Sequence, residues 1–274
     1  MPELPEVETI RSGLKPVLEN MVVQEIEIYH PKLRWPIPSN LKEELAQQRI
    51  LSLARRGKYL LLTLEKGTLI IHLGMSGSLK LLKQSQPPAR HDHVDFYFGN
   101  NLLLRYTDPR RFGAILWTEE DPYQHPLLKS LGVEPLEDAF HANYLLQQAQ
   151  KRRIAIKTLL MNAKVVVGIG NIYATEALFL AHIHPATPTS SLTEIQIQRL
   201  VETIKKVLQS AIECGGTTLK DFVNSEGRPG YFSQQLNVYG RKGLPCWDCQ
   251  TILEAIRLNQ RTTVFCPRCQ VNTV

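Results

Sequence analysis

Four cysteines near the C-terminus carry a specific chemical signal in this chain of 274 residues. Cys246 and Cys249 are separated by two residues, as are Cys266 and Cys269, with sixteen residues between the pairs. Each pair can offer two thiolates from one turn, and two such turns complete a tetrahedron, the spacing of a four-thiolate zinc site. Disulfides are disfavoured because the N-terminus has no basic-then-apolar secretory pattern. A thioredoxin-like redox pair is disfavoured because there are two pairs and no βαβ context. An iron–sulfur cluster stays open as the alternative. One structural Zn2+ is the expected cofactor, and with four protein ligands it has no open position for catalysis. Cys214 stands alone at the end of a helical pattern with no activating base near it in sequence, and it receives no role.

The other chemically loaded segment is the start of the chain, where Pro2 is followed by Glu3, Glu6 and Glu8. On their own these acids read as first-turn residues that favour a helix macrodipole. Val7, Ile10, Leu14 and Val17 recur at helical spacing, so a helix from Pro5 to about Leu18 should anchor the terminus against a core.

The remaining elements place these groups in an α+β, multidomain chain. Short β-prone runs follow, among them Val23–Tyr29, Tyr59–Leu64, Thr68–Leu73, Val94–Phe98 and Leu102–Tyr106, with Gly99-Asn100-Asn101 as a hairpin turn. They predict an N-terminal antiparallel β-sandwich with flanking helices over residues 1–132. After a linker at 133–137, helical stretches at about 139–150, 153–162, 171–182 and 193–213 predict a helical domain over 138–237. The zinc module spans 238–274, with a β-hairpin between its cysteine pairs over 251–264. Hydrophobic residues make up 43% and charged residues 21%, an ordinary globular balance. The longest apolar stretches are too short to cross a bilayer. A soluble cytoplasmic protein, without a membrane partner, is expected. The net charge of +6 suits a polyanionic partner, though mild basicity also serves solubility.

Seven segments then take on meaning together: Met1-Pro2-Glu3-Leu4-Pro5-Glu6-Val7-Glu8-Thr9, Arg56-Gly57-Lys58-Tyr59, His72-Leu73-Gly74-Met75-Ser76-Gly77, Asp108-Pro109-Arg110-Arg111-Phe112-Gly113, Val167-Gly168-Ile169-Gly170-Asn171-Ile172-Tyr173-Ala174, Gly215-Gly216-Thr217-Thr218-Leu219-Lys220 and Val238-Tyr239-Gly240-Arg241. In this order, and with the zinc module, the chain resembles the bacterial formamidopyrimidine-DNA glycosylase family along nearly its whole length. The sister endonuclease VIII family shares the terminal proline but typically starts Pro-Glu-Gly-Pro-Glu, whereas Leu4 follows Glu3 here. The resemblance implies a helix-two-turns-helix domain and a zinc-ribbon hairpin. It further implies a bifunctional glycosylase/AP lyase of base excision repair that removes oxidised purines, 8-oxoguanine and formamidopyrimidines. The alternatives are oxidised pyrimidines as substrates, or a zinc-ribbon DNA-binding protein without catalysis.

The same resemblance assigns roles. Pro2 is the nucleophile, which requires that Met1 be removed, and Glu3 is the general acid/base. A terminal proline is a secondary amine, and a free α-amine titrates near about 8, so a useful fraction is neutral at physiological pH. Lys58 and Arg261 join the catalytic group as contacts to phosphates around the lesion. His91, Arg110, Lys157, Asn171 and Tyr239 are expected on DNA. Glu6, Met75, Phe112 and Lys220 are expected at the lesion or as wedges, with Arg110 pairing the orphaned cytosine. Taken as arbitrary residues, Met75 and Phe112 would be core packing, but glycines at 74 and 77 argue for a loop tip. For Lys157 a solvated helix face is an equal reading. Asn162 stands where relatives usually carry Asp. The expected partner is double-stranded DNA with oxidised bases or abasic sites, met by a monomer associated with the nucleoid.

Overall fold

A computed structural model describes residues 2–83, 86–216 and 235–271. The chain divides into two units, Met1–Ser130 with Cys214–Ser233, and Leu131–Glu213 with Gln234–Val274.

In the first unit, helix α1 (Leu4–Leu18) buries Val7, Ile10, Leu14 and Leu18, which recur every three or four residues and so form one apolar stripe. Val17, read from the sequence as part of that stripe, is 39% exposed, and Leu18 takes its place. Eight antiparallel strands follow: β1 (Glu25–Ile28), β2 (Ile50–Arg56), β3 (Tyr59–Leu64), β4 (Thr68–His72), β5 (Ser78–Leu82), β6 (Asp92–Tyr97), β7 (Leu103–Thr107) and β8 (Ala114–Thr118). They form two sheets, ordered β1-β6-β7-β5 and β2-β3-β4-β8. Residues of both sheets and of α1 share one apolar core, including Ile10, Leu60, Ile71, Phe96, Tyr106 and Ile115. This is the expected sandwich. Asn100 and Asn101 both adopt positive φ, 62° and 58°, the conformation a tight hairpin turn demands. Two short helices, α2 (Leu41–Leu45) and α3 (Pro126–Lys129), were not predicted, because four or five residues carry too little periodicity to read.

A polar cluster lies on the face of the β6–β7 pair turned away from this core. Asp95 of β6 and Arg105 of β7 are directly opposed across the ladder. Arg105 Nε donates to Asp95 Oδ1 at 2.7 Å and Nη2 to Oδ2 at 2.6 Å, a bidentate pair. The Tyr29 hydroxyl donates to Asp95 Oδ2 at 2.9 Å, and Asp92 lies 3.2 Å from Arg105 Nη1.

The second unit is helical: α4 (Ala142–Gln150), α5 (Ile156–Leu160), α6 (Asn171–Leu180) and α7 (Glu194–Glu213), then a hairpin of β9 (Glu254–Leu258) and β10 (Arg261–Phe265). The start of α5 is later than the expected 153, because Ile154 and Ala155 bond instead with the 187–189 segment. Helix α6 ends at Leu180 rather than 182, since His182 turns left-handed at φ 55°. Among the described residues no helix is long and apolar enough to cross a membrane.

The buried ion pair generates the first expectation. Arg105→Met leaves Asp95 buried without its cation and should cost about 3–5 kcal/mol, measured by urea unfolding. A loss below about 1 kcal/mol, the range of a solvent-screened pair, would contradict the assignment.

Candidate active site and nucleic-acid interface

The chain start is held by its own first helical turn. Glu6 Oε2 accepts from the Glu3 backbone N–H at 2.8 Å, and the Glu3 carboxylate accepts from the Glu6 backbone N–H. This capping box satisfies amides that a helix start otherwise leaves open. Pro2, Glu3 and Glu6 are all buried, an unusual location for two carboxyl groups. Gly216, at φ +82°, runs against this turn; a Cβ there would stand 3.2 Å from both Glu6 Cγ and Oε1. The close approach suits glycine alone. Lys220 lies outside the described residues.

The predicted wedge residues are on the surface. Met75 is 38% and Phe112 44% exposed, and Arg110 is exposed with its guanidinium 5.0 Å above the Phe112 ring. Neither Met75 nor Phe112 is therefore core packing. Their two loops touch: Gly74 has φ +60°, and a Cβ on it would stand 2.5 Å from Gly113 N and 2.7 Å from Phe112 O. His91 lies at the entry to β6, and its carbonyl accepts from Asp108 N at 3.0 Å. Lys58 lies beside Gly57 in the turn between β2 and β3. Its charge adds to desolvation in holding the His72 imidazole down at about 4, below the usual 6.5. The neutral ring then accepts from Gly74 N through Nδ1 at 3.1 Å.

In the second unit Lys157 is not on a solvated face; it is 1% exposed. Its Nζ donates to Asn171 Oδ1 and to Thr263 Oγ1, both at 2.6 Å. Asn171 Nδ2 donates in turn to the Thr262 carbonyl at 3.3 Å. Lys157, the first residue of α6 and strand β10 are thus joined through one ammonium. Lys157 and exposed Arg261 also line a groove of about 360 Å³ with Thr158, Asn162 and Asn259. Asn162 Oδ1 accepts from Lys164 N at 3.0 Å, a turn bond that the Asp expected here from the family resemblance could equally accept. Tyr239 is placed by its backbone, whose N–H donates to Glu176 Oε1 at 2.8 Å.

Glu176 and Asp108 were not singled out from sequence. Glu176, 1% exposed, takes bonds from the backbone N–H groups of Asn237, Val238 and Tyr239 and so ties the start of the zinc module to α6. A lone acid inside the apolar run of α6 was the available signal.

The four cysteines meet as expected. Their sulfurs lie within 4.8 Å of one another, with Cys246–Cys269 at 4.0 Å and Cys249–Cys266 at 3.5 Å. A tetrahedral zinc with bonds of about 2.3 Å separates its sulfurs by about 3.8 Å, so these residues fit the ion. Burial pushes the Cys266 and Cys269 thiols up, whereas hydrogen bonds from Thr251 pull Cys249 down to about 6. A divalent cation bound by the four sulfurs would favour the thiolate form and so remove that conflict. Cys246 and Cys266 also pack with Phe179, Val238, Leu253 and Val264, so the metal knuckles belong to a small apolar core.

Two measurements follow. Metal analysis should find one zinc per chain, and Cys266→Ser should bring it close to none and weaken DNA binding; full binding by a zinc-free chain would refute the structural role. For His72, the unfolded chain takes up a proton first as pH falls. The native state should therefore lose stability between pH 6.5 and about 4, and His72→Asn should flatten that slope in urea titrations.

Residues 1–115 match the family described as formamidopyrimidine-DNA glycosylase N-terminal domain, residues 131–223 its H2TH domain, and residues 243–271 the zinc finger found in FPG and IleRS. A formamidopyrimidine-DNA glycosylase of Hydrogenovibrio crunogenus is 56% identical over 270 residues, covering 98% of this chain and 96% of that protein. A crystal structure of a Lactococcus lactis FPG mutant with Fapy-dG-containing DNA superposes with a TM-score of 0.92 at 34% identity, covering 99% of this chain and 100% of that one. The Lactococcus lactis Fpg complexed with abasic-site DNA gives 0.92 at 35% identity, covering 98% and 100%. A match that spans both units and the cysteine module, at more than half identity, leaves one conclusion: this chain belongs to the formamidopyrimidine-DNA glycosylase family.

Proposed function

We propose that this chain is a bifunctional DNA glycosylase and AP lyase that excises oxidised purines from duplex DNA in base excision repair. The observation that carries the reading is the chain start, where Pro2 and Glu3 are buried and held by the Glu3–Glu6 capping box. With Met1 removed, the Pro2 nitrogen is a secondary amine whose ring restricts its geometry. Its lone pair attacks C1′ of the lesion nucleotide, and the damaged base leaves with the glycosidic electron pair. Glu3 protonates the ring oxygen as the sugar opens, giving an iminium between Pro2 and C1′. The iminium acidifies the C2′ proton; its removal expels the 3′ phosphate, and a second elimination expels the 5′ phosphate. Water then frees Pro2 from the sugar remnant.

Reaching C1′ requires the nucleotide to leave the stack, at a cost of about a few kcal/mol. Met75, Phe112 and Arg110 fill the space it vacates, with Arg110 bonding the orphaned cytosine. Their exposure on adjoining loops supports this role. Lys58, His91, Asn171, Tyr239 and Arg261 bind phosphates, with Lys157 close by and Glu6 beside the sugar. The net charge of +6 favours the same polyanion. The chain acts as a monomer on chromosomal DNA in the cytoplasm, and the zinc supports the hairpin that carries Arg261.

Borohydride should trap a covalent adduct on 8-oxoguanine paired with cytosine, in preference to thymine glycol. Pro2→Gly keeps a terminal amine but loses the ring, so trapping should fall by about tenfold or more. A chain retaining Met1 should trap nothing. Undiminished trapping by the Met1-bearing chain would rule out the amine of Pro2.

A further inference from the structure

The loops that carry Met75, Arg110 and Phe112 converge on one side chain. Asp108, which is 0% exposed, directly follows β7 where the chain turns into the second of these loops. Its Oδ1 accepts from the Ser76 hydroxyl at 2.7 Å and from Arg110 N at 3.2 Å. Its Oδ2 accepts from Gly113 N at 2.9 Å and, more weakly, from the Tyr106 hydroxyl at 3.5 Å. Ser76 closes the set by accepting from Arg110 N at 3.2 Å. The backbone of Asp108 is tied as well, its N–H to the His91 carbonyl and its own carbonyl to His93 Nε2 at 2.9 Å. Every donor to the carboxylate in these bonds is a loop amide or a hydroxyl, and none is a cation.

We propose that Asp108, through Ser76, is a positioning residue that holds the Met75 loop and the Arg110–Phe112 loop in the one arrangement that enters the stack. The physical case rests on the donors. A buried acceptor that gathers four donors specifies geometry, because a donor that loses it and finds no other partner keeps its desolvation penalty. Arg111 adopts φ 58°, so the second loop follows a path that its own side chains do not favour. The Gly113 and Arg110 amides, bonded to opposite oxygens of one carboxylate, brace that path at both ends. The bond to Ser76 places Met75, the residue before it, relative to both. Asp108 touches no reacting atom in this account; it acts on extrusion of the nucleotide.

The inference rests on the proposed role of Arg110 at the orphaned base, so the experiment separates the two. The lesion is placed opposite cytosine and opposite adenine in duplexes, and an abasic site is placed in a single strand with no partner base. Asp108→Asn turns one acceptor into a donor facing donors. It should lower kcat/KM on the cytosine duplex by about tenfold and erase most of the preference for cytosine over adenine. Borohydride trapping on the single strand should stay within about twofold of the unsubstituted protein, since no stack needs to be filled. Ser76→Ala should move the same ratio less, and the double variant should fall short of the product of the two. Ser76→Ala also carries the test alone if Asp108→Asn lowers Tm enough to prevent folding. Arg110→Ala is the reference: an unchanged cytosine preference there would overturn the role of Arg110. A lost preference in Arg110→Ala with a normal one in Asp108→Asn and Ser76→Ala would overturn the positioning role. Equal loss on duplex and single strand would overturn it too, by placing Asp108 in the chemistry or the fold.

Discussion

A nucleophile built from a chain terminus has to be denied the freedom that termini ordinarily have. End residues fray because few contacts hold them, and a frayed amine presents no fixed approach to a sugar carbon. Here α1 begins two residues after Pro2, and its stripe of Val7, Ile10, Leu14 and Leu18 is sunk in the sandwich core. The capping box then fixes the Glu3 amide, the first bond after the proline ring. The sandwich thereby serves the chain end. Its apolar interior gives the start of the chain a rigid foundation, and the proposed chemistry of Pro2 depends on it.

Buried acids act as organisers in both units, each through different partners. Asp95 answers a guanidinium, Arg105, and stabilises one strand pairing. Glu176 gathers three successive backbone amides at the start of the zinc module. Asp108 gathers two loop amides and two hydroxyls. A carboxyl group in such a place is costly unless its oxygens are bonded, and these are. Glu176 and Asp108 each define a loop in this way, which apolar contacts alone specify poorly.

Against this rigid background the exposed apolar residues stand out. Met75 and Phe112 lie on braced loops rather than in the core, with Arg110 over the Phe112 ring. Single exposed apolar side chains are common, but here they share adjoining loops with a cation whose ring contact pre-orders it. The second unit shows the complementary design. Lys157 is withdrawn from solvent and donates to Asn171 and Thr263, so one ammonium joins α5, α6 and β10.

The residue order by itself determined the family resemblance, the α1 stripe, the sandwich and the zinc spacing. Each is a local or periodic property: a 3.6-residue stripe, the Asn100–Asn101 turn, two residues between paired thiols. It did not resolve helices as short as α2 and α3, nor the later start of α5, whose first residues bond to a distant segment. Nor did it decide whether Lys157 faced water, or single out Asp108 and Glu176. Those answers depend on groups far apart in sequence: Asp108 on Ser76, Lys157 on Thr263, Glu176 on Tyr239. A side chain's type shows what bonds it is able to make, but only the folded chain decides which partners lie within the 3 Å or so that a hydrogen bond requires.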